Sequence, residues 1–216
     1  MTRDGVILLH GIFRSARNMA GLAKFLEAQG YAVLNLDYPS TRRNLEAIAE
    51  HIHPAIVHFA GEVSGKLHFI GFSMGGLVIR AYLHRYPSAR MGRVVMLGTP
   101  NHGSEVADLA RNWRLYRKYY GPAGQQLVTD LADRSRLFGE VYYELGVMAG
   151  RYSIDPFSSI LIGKPNDGKV SIESTRLEGM RDHIVVPACH TFFPQSRTAW
   201  RQALHFLREG RFAAKR

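Results

Sequence analysis

Ser73 stands in Gly71-Phe72-Ser73-Met74-Gly75, a G-x-S-x-G pentapeptide preceded by an apolar run and followed by a helix-like pattern. A serine at a sharp strand-to-helix turn projects its hydroxyl above the sheet, and glycines two before and two after it let neighbouring backbones approach. The chemistry on offer is nucleophilic attack by the Ser73 hydroxyl, which needs a base, an orienting acid and oxyanion donors. His190, in Pro187-Ala188-Cys189-His190-Thr191 after the apolar residues 184–186, is the candidate base. Asp167, in the turn Lys164-Pro165-Asn166-Asp167-Gly168, is the candidate acid. Asp37, at the end of an earlier strand, and Asp155, in a proline-containing loop, compete for that role.

A developing oxyanion needs hydrogen-bond donors aimed at it, and backbone amides serve well because their side chains can stay apolar and exclude water. The N-terminal run Gly5-Val6-Ile7-Leu8-Leu9 reads as a buried strand feeding the loop His10-Gly11-Ile12-Phe13. The Ile12 and Met74 amides are the expected donors. Cys189, the one cysteine, excludes an internal disulfide; it adjoins His190, but neighbours in an extended segment point opposite ways, so it is not the expected nucleophile. His51 and His53 are two apart on a helix and do not share a face, so no metal site is read there.

HGIF at 10–13, GFSMGG at 71–76, GTPNHGS at 98–104, NDGKVS at 166–171 and ACHT at 188–191 together resemble an α/β-hydrolase of the small lipase and esterase type. The resemblance spans residues 5 to about 205. It implies Ser73 as nucleophile, His190 as general acid and base, Asp167 as its partner, Ile12 and Met74 as oxyanion amides, and no metal or organic cofactor. The implied activity is cleavage of a small-molecule or lipid carboxylic ester through an acyl-enzyme; thioester hydrolysis or acyl transfer on the same residues is the alternative, and a noncatalytic binding module a further one. GTPNHGS is similar to the segment that introduces the lid of lipases.

The elements that must position these residues follow a βαβ rhythm, which predicts a mostly parallel sheet with helices on both faces. Strands are expected near 5–10, 32–37, 67–72, 93–98, 159–163 and 183–187. Apolar stripes at Met19, Leu22, Ala23 and Leu26, at Leu45, Ile48, Ala49, Ile52, Ile56 and Phe59, and at Ala199, Trp200, Ala203, Leu204 and Leu207 predict the covering helices. The fold class is therefore α/β, and the resemblance implies a minimal α/β-hydrolase of about six mostly parallel strands with a short helical cap.

Residues 101–157 are too long for an ordinary connection and are expected to be that cap, within one domain spanning 1–216. Val106, Leu109, Ala110, Trp113, Tyr116 and Tyr120 recur there at helical spacing, with Arg111, Arg114, Arg117 and Lys118 mostly on the other side. Phe13, Trp113 and Tyr116 are thus candidates to line a substrate pocket, and the basic face is a candidate contact for an anionic lipid surface.

Composition agrees with a folded chain: 216 residues, 46% of them hydrophobic and none in a low-complexity tract, suffice for a sizeable core. The net charge of +10 favours acidic surfaces or ligands, but the basic residues are dispersed apart from the cap and the C-terminal tail, and no binding motif accompanies them, so specific nucleic-acid recognition is not expected. The apolar N-terminal run is too short for a signal peptide and no stretch approaches roughly 18 apolar residues, so a soluble cytoplasmic protein is expected. Nothing in the chain sets an oligomeric state.

Overall fold

The computed structural model describes residues 3–104, 107–108, 112–127 and 134–214, with backbone alone at 115–117 and 134–135. Among the described residues six strands form one all-parallel sheet in the order β2-β1-β3-β4-β5-β6. They are β1 (Gly5–Leu9), β2 (Ala32–Leu36), β3 (Leu67–Phe72), β4 (Met91–Leu97), β5 (Leu145–Gly150) and β6 (Asp182–Val186). The helices are α1 (Ala20–Glu27), α2 (Leu45–Glu62), α3 (Met74–Arg85), α4 (Arg114–Gln125), α5 (Arg134–Phe138), α6 (Pro156–Ile162), α7 (Ile172–Thr175) and α8 (Arg197–Glu209). No described helix is long and apolar enough to cross a membrane.

β1 is buried along its whole length because helices cover both faces of the sheet. The two-residue period of a strand divides its side chains between two cores. Ile7 and Leu9 join Phe69, Val94 and Met96 under α2 and α3, whereas Val6 and Leu8 join Ile70, Val95 and Leu97 under α1 and α8. Helix ends carry local stop and start chemistry. The Asn44 side chain accepts the Ala47 N–H at the start of α2, the Ser196 hydroxyl accepts the Ala199 N–H at the start of α8, and Gly210 closes α8 in the left-handed region. Because every strand runs the same way, the loops after β1, β3, β4, β5 and β6 emerge at one edge of the sheet, where open α/β sheets place their sites.

Two expectations are corrected here. Residues 159–163, read as a strand, lie in α6 and its cap: the Asp155 carboxylate accepts the Ser158 N–H, Pro156 opens the helix, and Gly163 ends it in the left-handed region. That Asp-Pro start and glycine stop are helix punctuation, which the apolar run outweighed in the sequence reading. The missing strand is β5, counted in the sequence with the 101–157 insertion, so the segment outside the sheet between β4 and β5 is 98–144. Its LGVMAG sequence has little intrinsic strand preference. Its glycines are required by neighbours: a Cβ on Gly146 would lie 2.6 Å from the Phe206 ring, and one on Gly150 would lie 2.5 Å from the Ala188 carbonyl oxygen.

Candidate active site

β3 delivers Ser73 to its turn. Ser73 has φ 52° and ψ −123°, a backbone conformation that costs a non-glycine residue about 1–3 kcal/mol and persists only where the surroundings impose it. Those surroundings are backbone against backbone. The Ser73 N–H donates to the Leu97 carbonyl at 2.8 Å, and a Cβ on Gly71 would meet the Gly76 nitrogen at 2.5 Å. On Gly76 a Cβ would press on the Thr99 side chain, 2.7 Å from its methyl group. Met74 opens α3, and its N–H belongs to the first turn, whose amides have no partner within the helix.

The loop after β6 brings His190 to Ser73, with Nε2 3.0 Å from Oγ. The other ring nitrogen, Nδ1, is 2.7 Å from Oδ2 of Asp167, and the Asp167 carbonyl accepts the His190 backbone N–H at 2.9 Å. Asp167 is 1% exposed, and its second oxygen, Oδ1, accepts the N–H groups of Lys169 at 3.0 Å and Val170 at 2.9 Å. An ionised carboxylate is acceptor-only, so in a neutral ring that donates Nδ1–H to an ionised Asp167, Nε2 is left to present its lone pair to the Ser73 hydroxyl. Gly98 keeps the space for this pair: with φ 56°, its Cβ would stand 3.1 Å from Asp167 Oδ2 and 3.3 Å from His190 Nδ1.

The competing acids are engaged elsewhere. Asp155 caps α6 and pairs with the Lys169 ammonium at 2.6 Å; the hydrogen bond from Lys169 and those from Ser158 hold its carboxyl well below the usual range. Asp37 lies 3.1 Å from His10 Nε2. His10 is fully buried, stacked on Tyr38 at a centroid distance of 4.1 Å, with Nδ1 2.8 Å from the Gly11 carbonyl, while the Tyr38 hydroxyl donates to the His10 carbonyl. Burial lowers the pKa of His10 and raises that of Tyr38. This cluster anchors the chain where it leaves β1 for Ile12.

Ile12, Phe13, Ser73 and His190 share one cavity of about 350 Å³, whose apolar wall includes Ala107, Tyr120, Leu127 and Val170. Phe13 is half exposed and meets Tyr120 edge to face at 4.7 Å. Trp113 is not part of this lining: it is 66% exposed, one residue before α4, and Tyr120 takes the place expected for it. Helical spacing in the sequence groups Trp113 with Tyr120 but cannot say which of them turns toward Ser73. The side chains of Tyr116 and Arg117, and residues Val106, Leu109, Ala110 and Arg111, lie outside the described residues. α4 starts at Arg114, with Trp113 extended before it, and is interrupted at Gly121, whose φ is 63°, so among the described residues the expected stripe from 106 to 120 does not lie on one continuous helix. Leu127 carries no periodic or motif cue toward the cavity, and Val170, although inside the NDGKVS segment, is not singled out there as a wall residue.

An all-parallel sheet covered by helices on both faces, with a serine at a strained turn after the third strand, defines an α/β protein with its site at the carboxyl edge of the strands. The family model described as alpha/beta hydrolase fold matches residues 5–148, and the chain belongs to that family. Solved structures carry the same fold. The mature lipase BlEst2 of Bacillus licheniformis superposes with a TM-score of 0.73 at 20% identity, covering 97% of this chain and 92% of that one. The metagenomic carboxyl esterase MGS0156 gives 0.69 at 19% identity over 88% and 65% of the two chains. Among curated sequences, human lysosomal thioesterase PPT2 is 28% identical over 134 residues, 56% of this chain and 44% of that protein, so the match spans less than half of the relative's length.

Proposed function

We propose that this protein is a serine hydrolase that cleaves carboxylic esters. The observation that carries the reading is His190, placed between the Ser73 hydroxyl at 3.0 Å and the buried Asp167 carboxylate at 2.7 Å. In this mechanism His190 Nε2 takes the Ser73 proton as Oγ attacks the ester carbonyl. Asp167 holds the ring in the tautomer that can accept that proton and stabilises the imidazolium. The Ile12 and Met74 amides receive the oxyanion of the tetrahedral intermediate. His190 then protonates the departing alcohol, leaving an acyl group on Ser73, and a water activated by the same imidazole releases the acid. The apolar cavity wall of Ala107, Leu127 and Val170 suits the acyl chain.

Thioester cleavage is the second reading, and the similarity to lysosomal thioesterase PPT2 favours it. Both bonds present an electrophilic carbonyl to Ser73 and differ in the leaving atom. The test of the common step is intact-mass analysis after exposure to a fluorophosphonate. One adduct on the wild type and none on Ser73→Ala is expected; an unlabelled, folded wild type sinks the proposal. Matched oxygen and sulfur esters of one acyl group then separate the two readings, and product analysis with a competing alcohol exposes acyl transfer.

A further inference from the structure

Among the described residues, two cationic side chains, Arg14 and Lys169, line the candidate cavity, and no carboxylate lines it with them. They differ in their surroundings. Lys169 is neutralised locally, its ammonium 2.6 Å from Asp155 Oδ2 and 3.3 Å from the Ser158 hydroxyl. Arg14 is exposed, and among the described residues its guanidinium has no hydrogen bond or ion pair. The carboxylate of the adjacent strand end, Asp37, faces His10 instead.

The backbone fixes Arg14 relative to the chemistry. Its N–H donates to the Gly11 carbonyl at 3.2 Å, closing a turn that contains Ile12. Phe13 in the same turn has φ 58°, and beyond Arg14 a short 3₁₀ helix, Ala16–Met19, is tied to the sheet by Asn35 Nδ2 donating to the Ala16 carbonyl at 2.8 Å. The cation is therefore carried on the same turn as the expected oxyanion donor. Ala107, Leu127 and Val170 are buried in the wall proposed above for the acyl chain, whereas Arg14 is an exposed member of the same lining, which makes it available to the leaving part of the substrate.

We infer that Arg14 forms an anion-binding subsite for the leaving group, so that the preferred substrates join an apolar acyl chain to an alcohol or thiol bearing a carboxylate, sulfonate or phosphate. A guanidinium suits this task because it stays charged and offers paired donors to such oxyanions. The net charge of +10 draws the same ligands from a distance. The inference rests on the ester-hydrolase reading and extends it to a substrate class.

The test compares butyrate esters of 4-hydroxybenzenesulfonate and of neutral 4-(methylsulfonyl)phenol, read as the ratio of kcat/KM values. The ratio is expected to fall about tenfold in Arg14→Ala, to be largely restored in Arg14→Lys and to fall further in Arg14→Glu. High salt should compress the ratio in the wild type more than in Arg14→Ala. A ratio that Arg14→Ala leaves unchanged, or one that depends on Lys169→Ala instead, overturns the subsite while the hydrolase reading stands. Failure of both esters together with failure of phosphonate labelling overturns the hydrolase reading itself.

Discussion

A Cβ on Gly75 would lie 2.6 Å from the His10 carbonyl oxygen and closer still to that of Leu9, so the turn that holds Ser73 is pressed directly on the chain leading to Ile12. No flexible side chain is available to move aside. Gly75→Ala must shift either α3 or the end of β1, and the expected destabilisation is about 1–3 kcal/mol, with loss of hydrolytic activity. Gly61, in α2 with open space around it, is the control: Gly61→Ala should stabilise by about 0.5–1 kcal/mol through helix propensity. Urea denaturation of the two variants checks both signs.

Removing the proposed nucleophile should cost the most. Ser73→Ala is expected to lower kcat by roughly 10⁴ or more, and Asp167→Asn by about 10⁴, because an amide would let the His190 ring adopt the unproductive tautomer. Steady-state kinetics on a soluble ester measure this. Near-full activity in Asp167→Asn would return Asp155 and Asp37 to consideration.

The cavity wall predicts a chain-length effect. Ala107→Phe should shorten, and Leu127→Ala lengthen, the acyl chain that gives the highest kcat/KM in a graded ester series, since both residues are buried in the lining. Trp113→Ala should leave the profile within about twofold, as expected for an exposed side chain away from the cavity. A profile that follows Trp113 rather than Ala107 and Leu127 would contradict the placement of the wall.

Acid should destabilise the fold through His68. Its side chain is 4% exposed, Nδ1 accepts the Arg93 N–H at 2.8 Å, and burial lowers its pKa from 6.5 despite Asp4 at 3.5 Å. Between that lowered value and 6.5 the unfolded chain holds the proton and the folded chain does not. The His68 contribution is therefore complete above about pH 6.5 and declines as pH falls through this window. His10 and His183 are shifted the same way, also mainly by burial. Thermal midpoints should drop from about pH 7 to about pH 5, less steeply in His68→Gln, whose amide oxygen can still accept from Arg93. An unchanged slope in that variant would show that His68 does not contribute.

The sequence by itself determined what depends on short stretches of chain. The glycines around Ser73, the buried β1 run ahead of His10 and the apolar stripes of α1, α2 and α8 are local patterns, and the parallel α/β class follows from their alternation. Tertiary structure decided what depends on partners distant in sequence. Residues 145–150 are a strand because β4 and β6 flank them and Phe206 and Ala188 occupy the space a side chain would need. Residues 156–162 are apolar without being buried in the sheet: Phe157 and Ile160 are strongly exposed on α6. Asp155, Asp37 and Asp167 look alike as loop acids, and only the folded chain sets Lys169, His10 and His190 against them in turn. Propensity and periodicity act over a few residues, whereas packing partners and hydrogen-bond acceptors are chosen by contacts between segments that meet only in the folded chain.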